Sequence, residues 1–137
     1  MLSQMLVASG GGITLTLGTL HLVYSCGGAK LRPRDPELEA YMKRVNPVLT
    51  RQTTMWRGWV GFNMSHSLGA MLFGLLYGYL ALAEPAVLFG STFLAVVGGL
   101  FLFGYVILGF KYWFSVPLRG VLLALVCYVV GFGVAWV

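Results

Sequence analysis

The chain is poor in charge, and poorest in negative charge. Of its 137 residues only Asp35, Glu37, Glu39 and Glu84 are acidic, and all charged residues together make up 9%. Soluble domains carry about a quarter charged residues, so a fold with a water-facing surface all round is excluded. No Asp or Glu lies inside an apolar run, which excludes carboxylate-driven proton pumping or transport. Cysteine is equally scarce. Cys26 and Cys127 have no paired spacing, which excludes a zinc ribbon or a dithiol redox motif; both are expected to be buried, unpaired thiols. Strictly alternating apolar segments are also missing, which excludes a transmembrane barrel.

What is abundant is apolar residues, at 58%. They gather into runs at residues 6–26, 59–83, 85–110 and 116–137, each long enough for the roughly 20 residues of a spanning helix. The expected fold class is an all-α integral membrane protein: one transmembrane domain over residues 1–137, an up-down bundle of four helices, with a basic loop at 27–58. No length remains for a separate catalytic domain. The opening Met1-Leu2-Ser3-Gln4-Met5 has no positive charge, and the apolar stretch behind it is too long for a signal-peptide core. It is expected to stay as the first span.

The net charge of +5 does not point to nucleic acid, because the basic residues sit beside apolar runs instead of forming a stripe on a folded surface. The expected partner is the lipid bilayer. Lys30, Arg32, Arg34, Lys43, Arg44, Arg51 and Arg57 lie in the first loop or at its edge, and Lys111 and Arg119 flank the third loop. All are on one side, so the positive-inside rule places both termini on the non-cytoplasmic side, in keeping with a cell inner membrane. Trp56, Trp59, Tyr112, Trp113 and Trp136 fit interfacial aromatic belts.

Inside the first loop, Asp35-Pro36-Glu37 reads as an N-cap, a first-turn proline and a first-turn acid. The helix they start is expected to end near Val45, before Asn46-Pro47. Leu38, Tyr41, Met42 and Val45 would form its apolar face and Glu39 would pair with Lys43. Such a helix belongs in the headgroup region.

Nineteen glycines punctuate the chain. Gly18, Gly69, Gly74, Gly78, Gly98, Gly99, Gly120 and Gly131 are the expected helix-packing positions, since small residues let backbones approach where lipid supplies no hydrophobic drive for association. They serve either packing within the chain or a seam for another subunit.

Polar residues within the spans need a partner or a purpose. The first span carries Thr14, Gly18, His21 and Ser25 on one stripe, and the second carries Asn63, Ser65, His66 and Ser67. His21 and His66 are the only histidines, and counting from the shared loop each lies roughly 8–10 Å inside the membrane edge at 1.5 Å per residue. If the stripes face each other, one intramembrane cluster forms. It can be packing glue joined by hydrogen bonds, a bis-histidine haem b site with Arg51 or Arg57 near the propionates, or a lipid or small-molecule site oriented by Asn63 and the serines. No catalytic residue is assigned, and two histidines with Cys26 make no convincing metal site.

In architecture the chain resembles the membrane-associated eicosanoid and glutathione metabolism enzymes, short four-spanning proteins with a basic first loop. The local echo is Arg57-Gly58-Trp59-Val60-Gly61-Phe62-Asn63. That family places a Glu close to an Asn in the second helix. No acidic residue follows Asn63 in this span, so no residue is carried over.

The functional expectation is a non-catalytic small membrane subunit or scaffold, a homo-oligomer or part of a larger membrane complex, packed through glycine-rich faces. The alternatives are a haem b electron carrier and a small enzyme or ligand-binding protein built on the polar cluster. The haem reading predicts a Soret band, with α and β bands that sharpen on reduction, lost in His21→Ala and in His66→Ala alike. A colourless wild-type protein expressed with haem available disposes of it.

Overall fold

The computed structural model describes residues 1–137. The chain is all-α: α1 (Leu2–Cys26), α2 (Pro36–Met42), α3 (Met55–Ala83), α4 (Pro85–Gly90), α5 (Thr92–Tyr112) and α6 (Ser115–Ala135). Helices α1, α3, α5 and α6 are long and apolar enough to cross a membrane, which makes this a multi-pass membrane protein. Two compact units make up the chain, residues 1–17 with 70–137 and residues 18–69. Both unit boundaries fall within α1 and α3.

In the first unit, helices meet where side chains are smallest. A Cβ placed on Gly74 would stand 2.5 Å from the Gly11 carbonyl oxygen and 2.7 Å from the Leu15 backbone nitrogen. Here the α1 and α3 backbones touch, so dispersion acts over the closest approach that two helices allow. Gly98 clears space of another kind. Its missing side chain leaves room for the Tyr77 and Tyr128 rings. The Tyr77 hydroxyl donates to the Leu94 carbonyl at 2.8 Å, and the Tyr128 hydroxyl donates to the Ala95 carbonyl at 2.9 Å. Phe73 stacks on Phe101 with ring centroids 4.7 Å apart, beside the two tyrosines. Gly120 faces Leu17, and Gly131 faces Val7 and the Ser3 carbonyl.

Several expectations need correction. The run at 85–110 is not one span, because Ser91 takes an extended conformation and caps α5 by accepting from the Leu94 backbone N–H at 3.3 Å. The preceding Gly90 ends α4, whose Phe89 carbonyl accepts from the Trp136 indole N–H at 3.0 Å. A local capping signal outweighed continuous hydropathy. The other spans also shift at their ends, starting at Leu2 and Met55 and closing at Ala135. The cysteines are free, but Cys26 is exposed at the end of α1 and Cys127 is half-buried. Gly78 would meet nothing if given a Cβ, although its backbone nitrogen lies 3.2 Å from where a Gly11 Cβ would stand. Gly99 is similarly loose, with only Tyr128 near, while Gly18 is buried and Gly69 half-buried.

In the second unit, α2 begins as expected. The Asp35 carboxylate accepts from the Glu37 backbone N–H at 2.8 Å. Lys43 donates to Glu39 at 2.6 Å and holds its carboxyl below the usual carboxylate range. The helix stops at Met42, with Lys43 as its C-cap, earlier than Val45. Leu38 and Tyr41 are about half exposed.

Gly74→Ala is expected to cost about 1–3 kcal/mol by overpacking against backbone that cannot yield. Gly12→Ala, where a Cβ meets nothing within 4 Å, should leave stability unchanged or raise it. Unfolding midpoints in mild detergent check both.

Candidate functional site

Helices α1 and α3 each bring one histidine to the second unit, and between them stands Asn63. Its side-chain amide donates to the Trp59 carbonyl one turn back at 2.8 Å, which turns the amide oxygen outward. That oxygen lies 3.0 Å from His21 Nε2. A carboxamide oxygen only accepts, so His21 donates and carries its proton on Nε2. The His66 ring meets the His21 ring edge to face, with centroids 5.4 Å apart.

The hydroxyls near this pair are spent on backbone. Ser25 donates to the His21 carbonyl at 2.7 Å, and fully buried Ser67 donates to the Asn63 carbonyl at 2.9 Å. Each bond satisfies a polar group that lipid would otherwise strand. Ser65 does not join the cluster; it is exposed and donates to the Phe62 carbonyl at 2.9 Å. Thr14 also turns back on its own helix, donating to the Gly10 carbonyl at 2.9 Å. Ser25, Ser65 and Ser67 thus each give their hydroxyl proton to a carbonyl of their own helix.

The geometry does not suit a bis-histidine haem. Two axial imidazoles must face an iron from opposite sides of a porphyrin, whereas here the rings touch and His21 Nε2 is bonded to Asn63. No three His, Cys, Asp or Glu side chains are grouped so that they could hold a metal ion.

Beside the pair opens a cleft of about 170 Å³, lined by Tyr24, Ser25 and Cys26 of α1, Gly27, Gly28, Leu31 and Arg32 of the loop, and Trp56, Trp59, Val60 and Asn63 of α3. Arg32 is the one charged residue of the lining. Lys30 stands close by, donating to the Tyr24 hydroxyl at 3.1 Å and lying 4.2 Å from the centre of its ring. Ser25 and Asn63 thus belong both to the polar cluster and to the wall of the cleft. Arg32, Tyr24, Trp56 and Trp59 were not legible as ligand-facing. Their one sequence signal was the spacing Trp56 to Trp59 at the start of a span, which equally describes an interfacial belt.

The fold and the site define a small all-α multi-pass membrane protein with a polar cleft at one end of two of its spanning helices. No protein-family model, curated protein or solved structure matches the chain.

The His21–Asn63 bond should behave as interhelical glue. A double-mutant cycle of His21→Ala and Asn63→Ala is expected to return a coupling of about 0.6 kcal/mol, and no more than about 1.7. Unfolding midpoints of the four proteins supply the measurement, and a coupling near zero would show that the bond contributes nothing.

Proposed function

We propose that this protein is a non-catalytic binding protein which takes the small anionic headgroup of an amphipathic ligand in the cleft beside His21 and Asn63. The observation that carries the reading is the composition of the lining: a single guanidinium, three aromatic side chains and an amide already oriented by its own helix. Arg32 supplies charge-assisted hydrogen bonds to a phosphate or carboxylate, and Trp56, Trp59 and Tyr24 are amphipathic rings suited to the level of lipid headgroups. At about 170 Å³ the cleft is smaller than the roughly 300 Å³ from which whole-ligand pockets begin. It admits a headgroup, leaving the tail in the bilayer.

What supports binding over turnover is that the hydroxyls of Ser25, Ser65 and Ser67 are engaged with carbonyls one turn back or nearly so. Of the glycines behind the subunit reading, Gly74, Gly98, Gly120 and Gly131 meet neighbours within the chain, while a Cβ on Gly78 would meet nothing. The seven basic residues from Lys30 to Arg57, against three acidic ones in the same stretch, support a cytoplasmic position for this loop in a cell inner membrane, with both termini on the other side.

Titration of intrinsic tryptophan fluorescence with dihexanoyl phosphatidylglycerol, and with its phosphatidylcholine counterpart, tests the proposal. The anionic lipid should bind more tightly, and Arg32→Gln should weaken it about 10- to 100-fold, the loss of one hydrogen bond to a charged group. Equal affinity for both lipids, unaltered in Arg32→Gln, would overturn it.

A further inference from the structure

The segment between α2 and α3 is a closed loop with an unusual tip. The Met55 backbone N–H donates to the Val45 carbonyl at 2.8 Å, and the Asn46 side-chain amide donates to the Thr53 carbonyl at 2.6 Å. These bonds clasp the two ends together, as in a compact Ω-loop. At the tip, the Thr50 N–H donates to the Pro47 carbonyl at 3.2 Å, making a turn whose central residues are Val48 and Leu49. The Thr50 hydroxyl accepts from the Gln52 N–H at 3.1 Å and continues the bend.

Turn centres ordinarily carry Gly, Asn, Asp, Ser or Pro. Here they carry two large aliphatic side chains with relative exposures of 109% and 93%. Nothing in the turn's hydrogen bonding calls for Val or Leu, and water disfavours both. Arg44 and Arg51 flank the tip and are exposed; the chain's ion pair is elsewhere, between Lys43 and Glu39. The loop is held near the bilayer by the spanning helix α3 that follows it directly and by α1, which precedes it across α2.

We infer that Val48 and Leu49 insert into the anionic leaflet of the bilayer that α1 and α3 cross, with Arg44 and Arg51 on the phosphates around them. The clasp at Val45–Met55 and Asn46–Thr53 makes the insertion inexpensive in order, since the turn is already formed before it meets lipid. Charge selects the lipid: a basic residue gains about 1 kcal/mol near an anionic surface, and an apolar pair between two arginines is complementary to acyl chains beneath negative headgroups. This insertion stands apart from the cleft, because no residue of the tip lines it.

The full chain carrying Cys26→Ser and Cys127→Ser, with Leu49→Cys labelled by an environment-sensitive fluorophore, is placed in nanodiscs of phosphatidylcholine with and without phosphatidylglycerol. The same label on Gln52→Cys is the control for attraction by the dye itself. The proposal expects a blue shift at position 49, and quenching by nitroxide lipid, that exceed those at 52 and grow with the anionic lipid. Arg44→Gln and Arg51→Gln should each lower the inserted-to-free ratio about fivefold, which is that 1 kcal/mol restated. A label at 49 that stays in water in both lipids, or that matches 52, overturns the proposal and leaves a soluble partner as the occupant of the tip.

Discussion

A bilayer interior offers polar groups no water and gives apolar helix faces no hydrophobic reason to meet, and most of this structure answers that constraint. Thr14, Ser25 and Ser67 each donate to the carbonyl four residues back on their own helix. The helices are held where backbones come closest, as at Gly11 and Gly74. Few polar side chains reach across to another helix. Tyr77 and Tyr128 do so at the Leu94 and Ala95 carbonyls, and His21 does so at Asn63. Those crossings fix how one helix is rotated against its neighbour, because a lost partner in lipid cannot be replaced by solvent.

The cleft follows from the same bond. Asn63 donates to the Trp59 carbonyl and accepts from His21, so its amide is oriented with both of its polar atoms engaged. The chain that leaves α1 through Gly27 and Gly28 brings Arg32 to the lining beside Trp56 and Trp59. Gly28 is tight here, since a Cβ would come within 3.2 Å of the Tyr24 carbonyl oxygen. A wall built from a helix end, a turn and a basic side chain presents polar and aromatic surfaces side by side.

Much of the fold was legible because hydropathy and charge are read along the chain. The four spanning helices, the Asp35 cap and the Glu39–Lys43 pair all appear where the residues indicate. The break at Ser91 did not stand out, because a single Gly-Ser step carries little weight in a long apolar run, yet its hydroxyl caps α5. The meeting of His21 with His66 was legible as matched depth from a shared loop. Ser65 was not separable from Ser67 by depth alone, although one is exposed and the other fully buried. The exposure of Cys26 and the Val48–Leu49 tip depends on how the loop folds back, and hydropathy carries no record of that.

The sequence by itself determined the class and the number of spans, because a bilayer of given thickness measures helix length directly at 1.5 Å per residue. Only the tertiary structure decided which glycines touch a neighbour, which nitrogen of His21 holds its proton toward Asn63, and that Arg32 joins two tryptophans at a cleft. The reason is rotational: turning a spanning helix about its own axis leaves its hydropathy and depth unchanged, while it replaces every partner that its side chains meet.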